Sequence, residues 1–267
     1  MRRFGRVALG GTFDRFHIGH EALLGAAFQI GRSVTIGLTS RGFLAAHPKP
    51  KGRAIGSEAT RRRALTRWLG AHYAPARWTV VPLHDAYGGA TEGRFDALVV
   101  SADTVPGGRA VNRERLRRGR PPVPLLVVPL ALADDLEPVS SRRIRSGEID
   151  RSGHRRSAIA VGLAVGAGSD RASAVRAVRR AFPRARIESR LLRTVGRPRP
   201  SLPRLAERAR GSRDLGIVVV PHRRSGWRVA VRGRHAALDP RGLPGSTAGD
   251  LEEGLLRLLR PAGPRRR

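Results

Sequence analysis

The sequence predicts an α/β protein: an open, doubly wound parallel sheet followed by a second, smaller α/β domain. Three observations carry that reading. Short β-rich runs alternate with helical apolar spacing over residues 6–129. The first run closes on Gly10-Gly11, a few residues ahead of a helix. The composition changes at Ala158, behind the polar stretch Arg151 to Ser157.

Arg6 to Gly10 reads as a buried first strand ending at glycine. Ile18 to Ile30 has the apolar spacing of a helix, and Val34 to Leu38 is a second strand. Ser57 to Leu69 is helical, with Ser57 as its candidate cap. Thr79 to Leu83, Ala97 to Val100 and Leu125 to Pro129 are three further β-rich runs. In a sheet of this kind ligands bind beyond the carboxyl ends of the strands, where the strand order reverses. After the linker-like stretch, Ala158 to Val161, Ile217 to Pro221 and Trp227 to Val231 read as strands. Gly196 to Pro203 reads as a Pro/Arg-rich loop, and Asp250 to Leu259 as an amphipathic helix. The expected domains span 1–152 and 158–260, with 261–267 a basic, disordered tail.

The chain has 267 residues, 40% of them hydrophobic, enough for two cores. It contains no run of about 18 or more apolar residues that would span a membrane. It has no cysteine, which excludes disulfides and thiolate metal sites. Its start, Met-Arg-Arg, leads straight into strand-like sequence without the apolar core of a signal peptide. A cytoplasmic protein without a membrane partner is the expectation. The net charge is +31, and residues 151–267 carry +20 of it. Fifty of the 52 basic residues are arginine. Swapping lysine for arginine leaves charge unchanged, so arginine bias does not explain the excess. Such charge draws phosphate-rich partners, nucleotides or nucleic acid. Nucleic acid is the less favoured, because aromatics are few and no nucleic-acid-binding motif is present.

The most informative segment is Gly10-Gly11-Thr12-Phe13-Asp14-Arg15-Phe16-His17-Ile18-Gly19-His20. Two glycines close a strand and let backbone approach a ligand, and the following helix start directs N–H groups at an anion. His17 and His20, three apart, share one face of that helix start. Gly19 removes a side chain that would crowd a bound nucleotide. The two imidazoles can donate hydrogen bonds to phosphate oxygens as charge develops. Zinc would need a third ligand of metal type, which the neighbouring sequence does not supply. A second segment, Val139 to Asp150, opens with Ser140-Ser141 as caps of a short helix. Arg145 lies four residues after Ser141, on the same face, as a phosphate clamp.

Gly-Gly-Thr-Phe-Asp-x-x-His-x-Gly-His resembles the signature of the nucleotidyltransferase superfamily, whose core is a Rossmann-like doubly wound sheet. Val139 to Arg145 resembles its Ile-Ser-Ser-Thr-x-x-Arg motif, with Arg142 in place of the family's threonine. That cation would either supplement phosphate binding or spoil it. Gly37 to Ser40, Asp85 to Gly88, Val99 to Thr104, Asn112 with Arg115, and Arg145 to Asp150 follow in order. Together they resemble the archaeal and eukaryotic phosphopantetheine adenylyltransferases. The resemblance implies transfer of AMP from ATP to 4′-phosphopantetheine, giving dephospho-CoA and pyrophosphate in coenzyme A synthesis. It implies Mg²⁺ carried mainly by the triphosphate, and no protein metal site. It places Thr12 and His20 at the reacting α-phosphoryl group. It assigns ATP to Gly10, Gly11, Thr12, Phe13, His17, Gly19, His20, Ser140, Ser141 and Arg145. Another adenylyl- or cytidylyltransferase of the superfamily is the alternative, as is a basic nucleic-acid-binding protein on an inactive enzyme fold.

The two lysines of the chain, Lys49 and Lys51, stand in one loop of a sequence that otherwise uses arginine. A compact ammonium is not interchangeable with a planar fork. The family places a phosphate-binding lysine there, so either residue is a candidate for catalysis and acceptor binding, together with Thr12. Asp85 is either an acceptor-orienting carboxylate or a turn aspartate ahead of Tyr87-Gly88. Arg61 is either a ligand contact or a solvated helix arginine.

Gly168 to Phe182 and Asp214 to Ile217 resemble the inosine/xanthosine triphosphatases, with Arg171 and Ala174 where that family has asparagine and lysine. The acid expected soon after Ile217 is missing from Val218 to Pro221. The resemblance implies a degenerate, non-catalytic remnant, or a basic unit that binds polyanions, or, least favoured, retained phosphatase activity. Oligomeric state is not legible.

Overall fold

Alternating buried runs and capped helices give the chain two units, each with its own sheet and core. The computed structural model describes residues 4–47, 55–192, 201–222, 226–233, 237–245 and 247–259. Residues 1–131 and 139–147 form the first unit, and 132–138 with 148–267 the second. Lys49, Lys51 and the tail 261–267 lie outside the described residues.

In the first unit, β1 (Phe4–Gly11), β2 (Gly31–Thr39), β3 (Trp78–Leu83), β4 (Ala97–Ser101) and β5 (Leu125–Val128) form one sheet. Every neighbouring pair is parallel, and the order is β3-β2-β1-β4-β5. This is the doubly wound sheet the sequence predicts. The order reverses between β1 and β4, so the residues following β1 sit at the switch point. Helix α1 (Ile18–Ile30) buries Leu23, Leu24, Ala27 and Phe28 along one face. Short α2 (Arg41–Ala46) starts at Ser40, whose side chain accepts from the Phe43 N–H. In α3 (Glu58–His72), Ser57 caps by accepting from Thr60, as its sequence position predicts. The core joins Val7 and Leu9 of β1, Val34, Ile36 and Leu38 of β2, and Leu65 and Leu69 of α3.

Two helices of the first unit escape the sequence reading. One is α2; the other is α4 (Val105–Arg117). The inward residues of α4 are Gly108, Val111 and Arg115. A glycine and an arginine give no apolar periodicity, so the pattern that reveals α1 is missing here. Asn112 and Arg115 work as backbone ties. Asn112 exchanges hydrogen bonds with Val123 at 2.8 and 3.0 Å, and Arg115 donates to the carbonyls of Ala90, Gly93 and Pro121.

The first unit's last helix, α5 (Ser141–Arg145), precedes the second unit's β6 (Ala160–Gly166) and α6 (Arg171–Ala181). Then follow β7 (Arg186–Leu192), α7 (Leu202–Arg210), β8 (Leu215–His222), β9 (Gly226–Arg232), β10 (Ala237–Leu243) and α8 (Ala248–Leu259). The sheet order is β10-β9-β8-β6-β7, with β6 parallel to β7 and β8 and an antiparallel run through β8, β9 and β10. This is the second α/β unit the sequence predicts. The linker-like stretch is not a loose connection. Asp150 closes a turn by accepting from Ser152 and His154, and Arg155 pairs with Asp135 at 3.0 Å and Asp214 at 3.1 Å. Of the predicted loop Gly196 to Pro203, residues 196–200 lie outside the described residues, and Leu202-Pro203 open α7. No helix among the described residues is long and apolar enough to cross a membrane.

Candidate active site

The site grows from the end of β1. The strand runs into Thr12-Phe13-Asp14-Arg15, where Phe13 and Arg15 adopt φ of 49° and 47°. Left-handed backbone at a bulky residue persists only where the surroundings fix it. Here the Phe13 ring is buried in the core, and Asp14 is tied on three sides. Its Oδ1 accepts from Gly56 N at 3.0 Å, its Oδ2 pairs with Arg145, and its carbonyl accepts from the Ser141 hydroxyl at 2.5 Å. The two motifs, 127 to 131 positions apart, therefore meet at one residue. The sequence reading quoted Asp14 within its motif but gave it no role. An acid beside Phe13 and three places before His17 was the signal.

His17 is the N-cap of α1, and its Nδ1 accepts from Gly19 N at 3.1 Å. A neutral imidazole whose Nδ1 accepts must carry its proton on Nε2, so the far side of the ring is a donor. The residue is 6% exposed. Burial lowers its pKa to about 4, against the opposing pull of the Asp14 charge, so the ring is neutral at pH 7. The His17 and His20 rings stack with centroids 3.8 Å apart, and His20 also meets Phe13 at 5.1 Å and Phe16 at 5.5 Å. The paired imidazoles share a face, as their spacing predicts. Gly19 has a use beyond the expected one. A Cβ there would stand 3.0 Å from His17 Cε1, so the glycine makes room for the capping ring itself.

Ser140 caps α5, accepting from Arg143 N at 3.4 Å. Ser141 and Arg145 both face Asp14, and Arg142 is exposed. The expectation of a free phosphate fork at Arg145 is thus modified: its guanidinium has a carboxylate partner in this structure. Asp85 is a turn aspartate, its Oδ1 accepting from Tyr87 N at 2.7 Å and Gly88 N at 2.6 Å. Arg61 is not a solvated helix residue. It is 2% exposed and donates to backbone on three segments. Thr12, Phe13, His17, His20, Ser140, Ser141 and Arg145 all belong to the first unit, and Asp14 joins the two motifs.

The family described as cytidylyltransferase-like matches residues 8–147. A phosphopantetheine adenylyltransferase from Methanothermobacter thermautotrophicus is 43% identical over 154 residues, which cover 57% of this chain and 90% of that protein. One from Methanopyrus kandleri is 39% identical over 151 residues, 56% of this chain and 94% of that protein. A bifunctional phosphopantetheine adenylyltransferase/NTP phosphatase from Thermoplasma acidophilum is 35% identical over 158 residues, covering 59% of this chain and 47% of that protein.

Proposed function

Because the chain belongs to the cytidylyltransferase-like family, and within it to the phosphopantetheine adenylyltransferases, we propose that its first unit moves AMP from ATP to 4′-phosphopantetheine. The observation that carries the reading is the stacked His17–His20 pair at the switch point, joined through Asp14 to the Ser141–Arg145 turn.

A phosphate oxygen of the acceptor attacks the α-phosphorus of ATP. As that bond forms, the bond from the α-phosphorus to the bridging oxygen breaks, and pyrophosphate leaves with the electron pair. The acceptor phosphate is already a nucleophile at neutral pH, so the site needs no general base. Its work is positioning and stabilisation of charge on the phosphoryl oxygens. His20 and Thr12 serve the α-phosphoryl group, and the Nε2–H of His17 donates to the phosphates. Ser140, Ser141 and Arg145 hold the β- and γ-phosphates, with Gly10, Gly11, Phe13 and Gly19 shaping the ATP side. When triphosphate arrives, it competes with Asp14 for the Arg145 guanidinium. Lys49 or Lys51 is assigned to the acceptor phosphate; Asp85, bound into its turn, is a weaker candidate for orienting the acceptor.

Mg²⁺ accompanies ATP, but the residues present do not form a seat for it. Asp14 is engaged by Gly56 and Arg145, and no three His, Asp or Glu side chains cluster as a cation cage among the described residues. The second unit, spanning the proposed domain 158–260, is read as a triphosphatase-like fold without catalysis. Asp170, at the start of α6, uses its carboxylate on Ala172 N and the Ser173 hydroxyl, which places negative charge where a phosphate would dock. The protein works in the cytoplasm.

The test is pyrophosphate release by the full chain, with ATP or CTP against phosphopantetheine, nicotinamide mononucleotide, glycerol phosphate and FMN. Release dependent on ATP and phosphopantetheine supports the reading. Preference for CTP or for another acceptor overturns it, as does salt-sensitive RNA binding without turnover.

A further inference from the structure

Arg61 lies in the first turns of α3, on the face that carries Leu65 and Leu69 inward. Its guanidinium reaches three separate segments. Nη1 donates to the Thr12 carbonyl at 2.8 Å and to Thr39 Oγ1 at 3.3 Å; Nη2 donates to the Thr39 carbonyl at 2.8 Å; Nε donates to the Gly56 carbonyl at 2.9 Å. The loop after β1, the end of β2 and the entry to α3 are thus held by one planar fork. Each acceptor is a carbonyl or hydroxyl. The Gly56 peptide is held on both sides, its amide by Asp14 and its carbonyl by Arg61.

We propose that Arg61 is a positioning residue for adenylyl transfer, fixing the backbone of Thr12 and, through it, the placement of the reacting groups of the first motif. The proposal rests on the adenylyltransferase reading above. Thr12 supplies the carbonyl of the peptide that leads into Phe13, the residue with φ of 49°. An unfavourable conformation there needs a fixed point on its upstream side, and the Arg61 bond supplies one. Downstream, the Phe13 ring packs on His20, which stacks on His17. A shift at the Thr12 carbonyl therefore reaches both imidazoles. At 2% exposure the guanidinium is committed to this scaffold, and a lysine ammonium cannot span the same acceptors as a fork.

The experiment is a double-substitution cycle in the full chain. Arg61→Lys is compared with wild type, and Thr12→Ala,Arg61→Lys with Thr12→Ala, by kcat, by KM for each substrate and by melting temperature. The expected result is a fall in kcat of about 10²-fold for Arg61→Lys, with KM for ATP unchanged. In the Thr12→Ala background the same change should cost less, because the Thr12 hydroxyl it positions is gone while the carbonyl and the imidazoles remain. An equal factor in both backgrounds, or an unchanged kcat in wild type, overturns the proposal. Should Arg61→Lys not fold, Arg61→Gln enters the same cycle: it keeps an amide donor and loses the fork that joins the Thr12, Thr39 and Gly56 carbonyls. An unchanged kcat there overturns the proposal equally. Wild-type turnover with ATP and phosphopantetheine separates the two readings. If it is absent, the activity assignment fails and this inference falls with it; if it is present and the cycle is additive, only the inference fails.

Discussion

The carboxylate of Asp14 and the guanidinium of Arg145 form an ion pair across 131 positions of sequence, with side chains 3% and 13% exposed. Removing one partner from such a pair strands the other charge. Arg145→Met is therefore expected to destabilise the first unit by about 3–5 kcal/mol and to raise the KM for ATP. Adding Asp14→Asn should restore part of the stability while leaving ATP binding weak. Thermal melts and ATP titration of the two variants measure this. Identical stability of single and double variants would show that the charges are not coupled.

His20 is held by three aromatic neighbours, so its loss changes a donor more than the fold around it. His20→Ala should lower kcat by about 10²–10³-fold while leaving the far-ultraviolet circular dichroism spectrum unchanged. Near-normal pyrophosphate release by the purified variant would remove His20 from the mechanism.

His17 gives a pH dependence of defined sign. Its pKa is about 4 in the folded chain against an ordinary 6.5, chiefly through burial. Between those values the unfolded chain takes up a proton that the folded chain refuses. Stability is therefore fully present above the ordinary value and is lost as pH falls through the window, by as much as about 3 kcal/mol. Below pH 4 both states are protonated and the dependence ends. Nitrogen-15 NMR of the ring should show Nε2 protonated and Nδ1 bare from pH 7 to pH 5. Titration of His17 near pH 6.5 would contradict the buried, capping geometry.

In the second unit Gly162 of β6 pairs in register with Gly216 of β8, and α7 lies with its backbone against both. A Cβ would stand 1.7 Å from the Ala209 carbonyl oxygen at Gly162, and 2.0 Å from that of Ala206 at Gly216. Gly216→Ala must lift α7, and overpacking of this kind costs about 1–3 kcal/mol. Scanning calorimetry should show a transition shifted to lower temperature. Gly70→Ala is the control: an exposed helix position with no atom within 4 Å of the added methyl, where alanine gains about 0.5–1 kcal/mol over glycine. Equal melting of both variants would mean that α7 does not need the close approach.

The strands of the first unit, α1, the Ser57 cap and the two motifs that meet at Asp14 were legible in the sequence because each is written in neighbouring residues. Period, a capping hydroxyl and glycine at a strand end are local facts, and backbone geometry converts them directly into structure. What the tertiary structure alone decided is which charged side chains turn inward. Arg61, Arg115 and Asp14 look like ordinary polar residues in sequence, yet each is buried. Their partners are carbonyls and charges brought near by sheet order, up to 131 positions away. A buried charge is tolerated only where those groups converge, and convergence is a property of the folded chain rather than of any stretch of it.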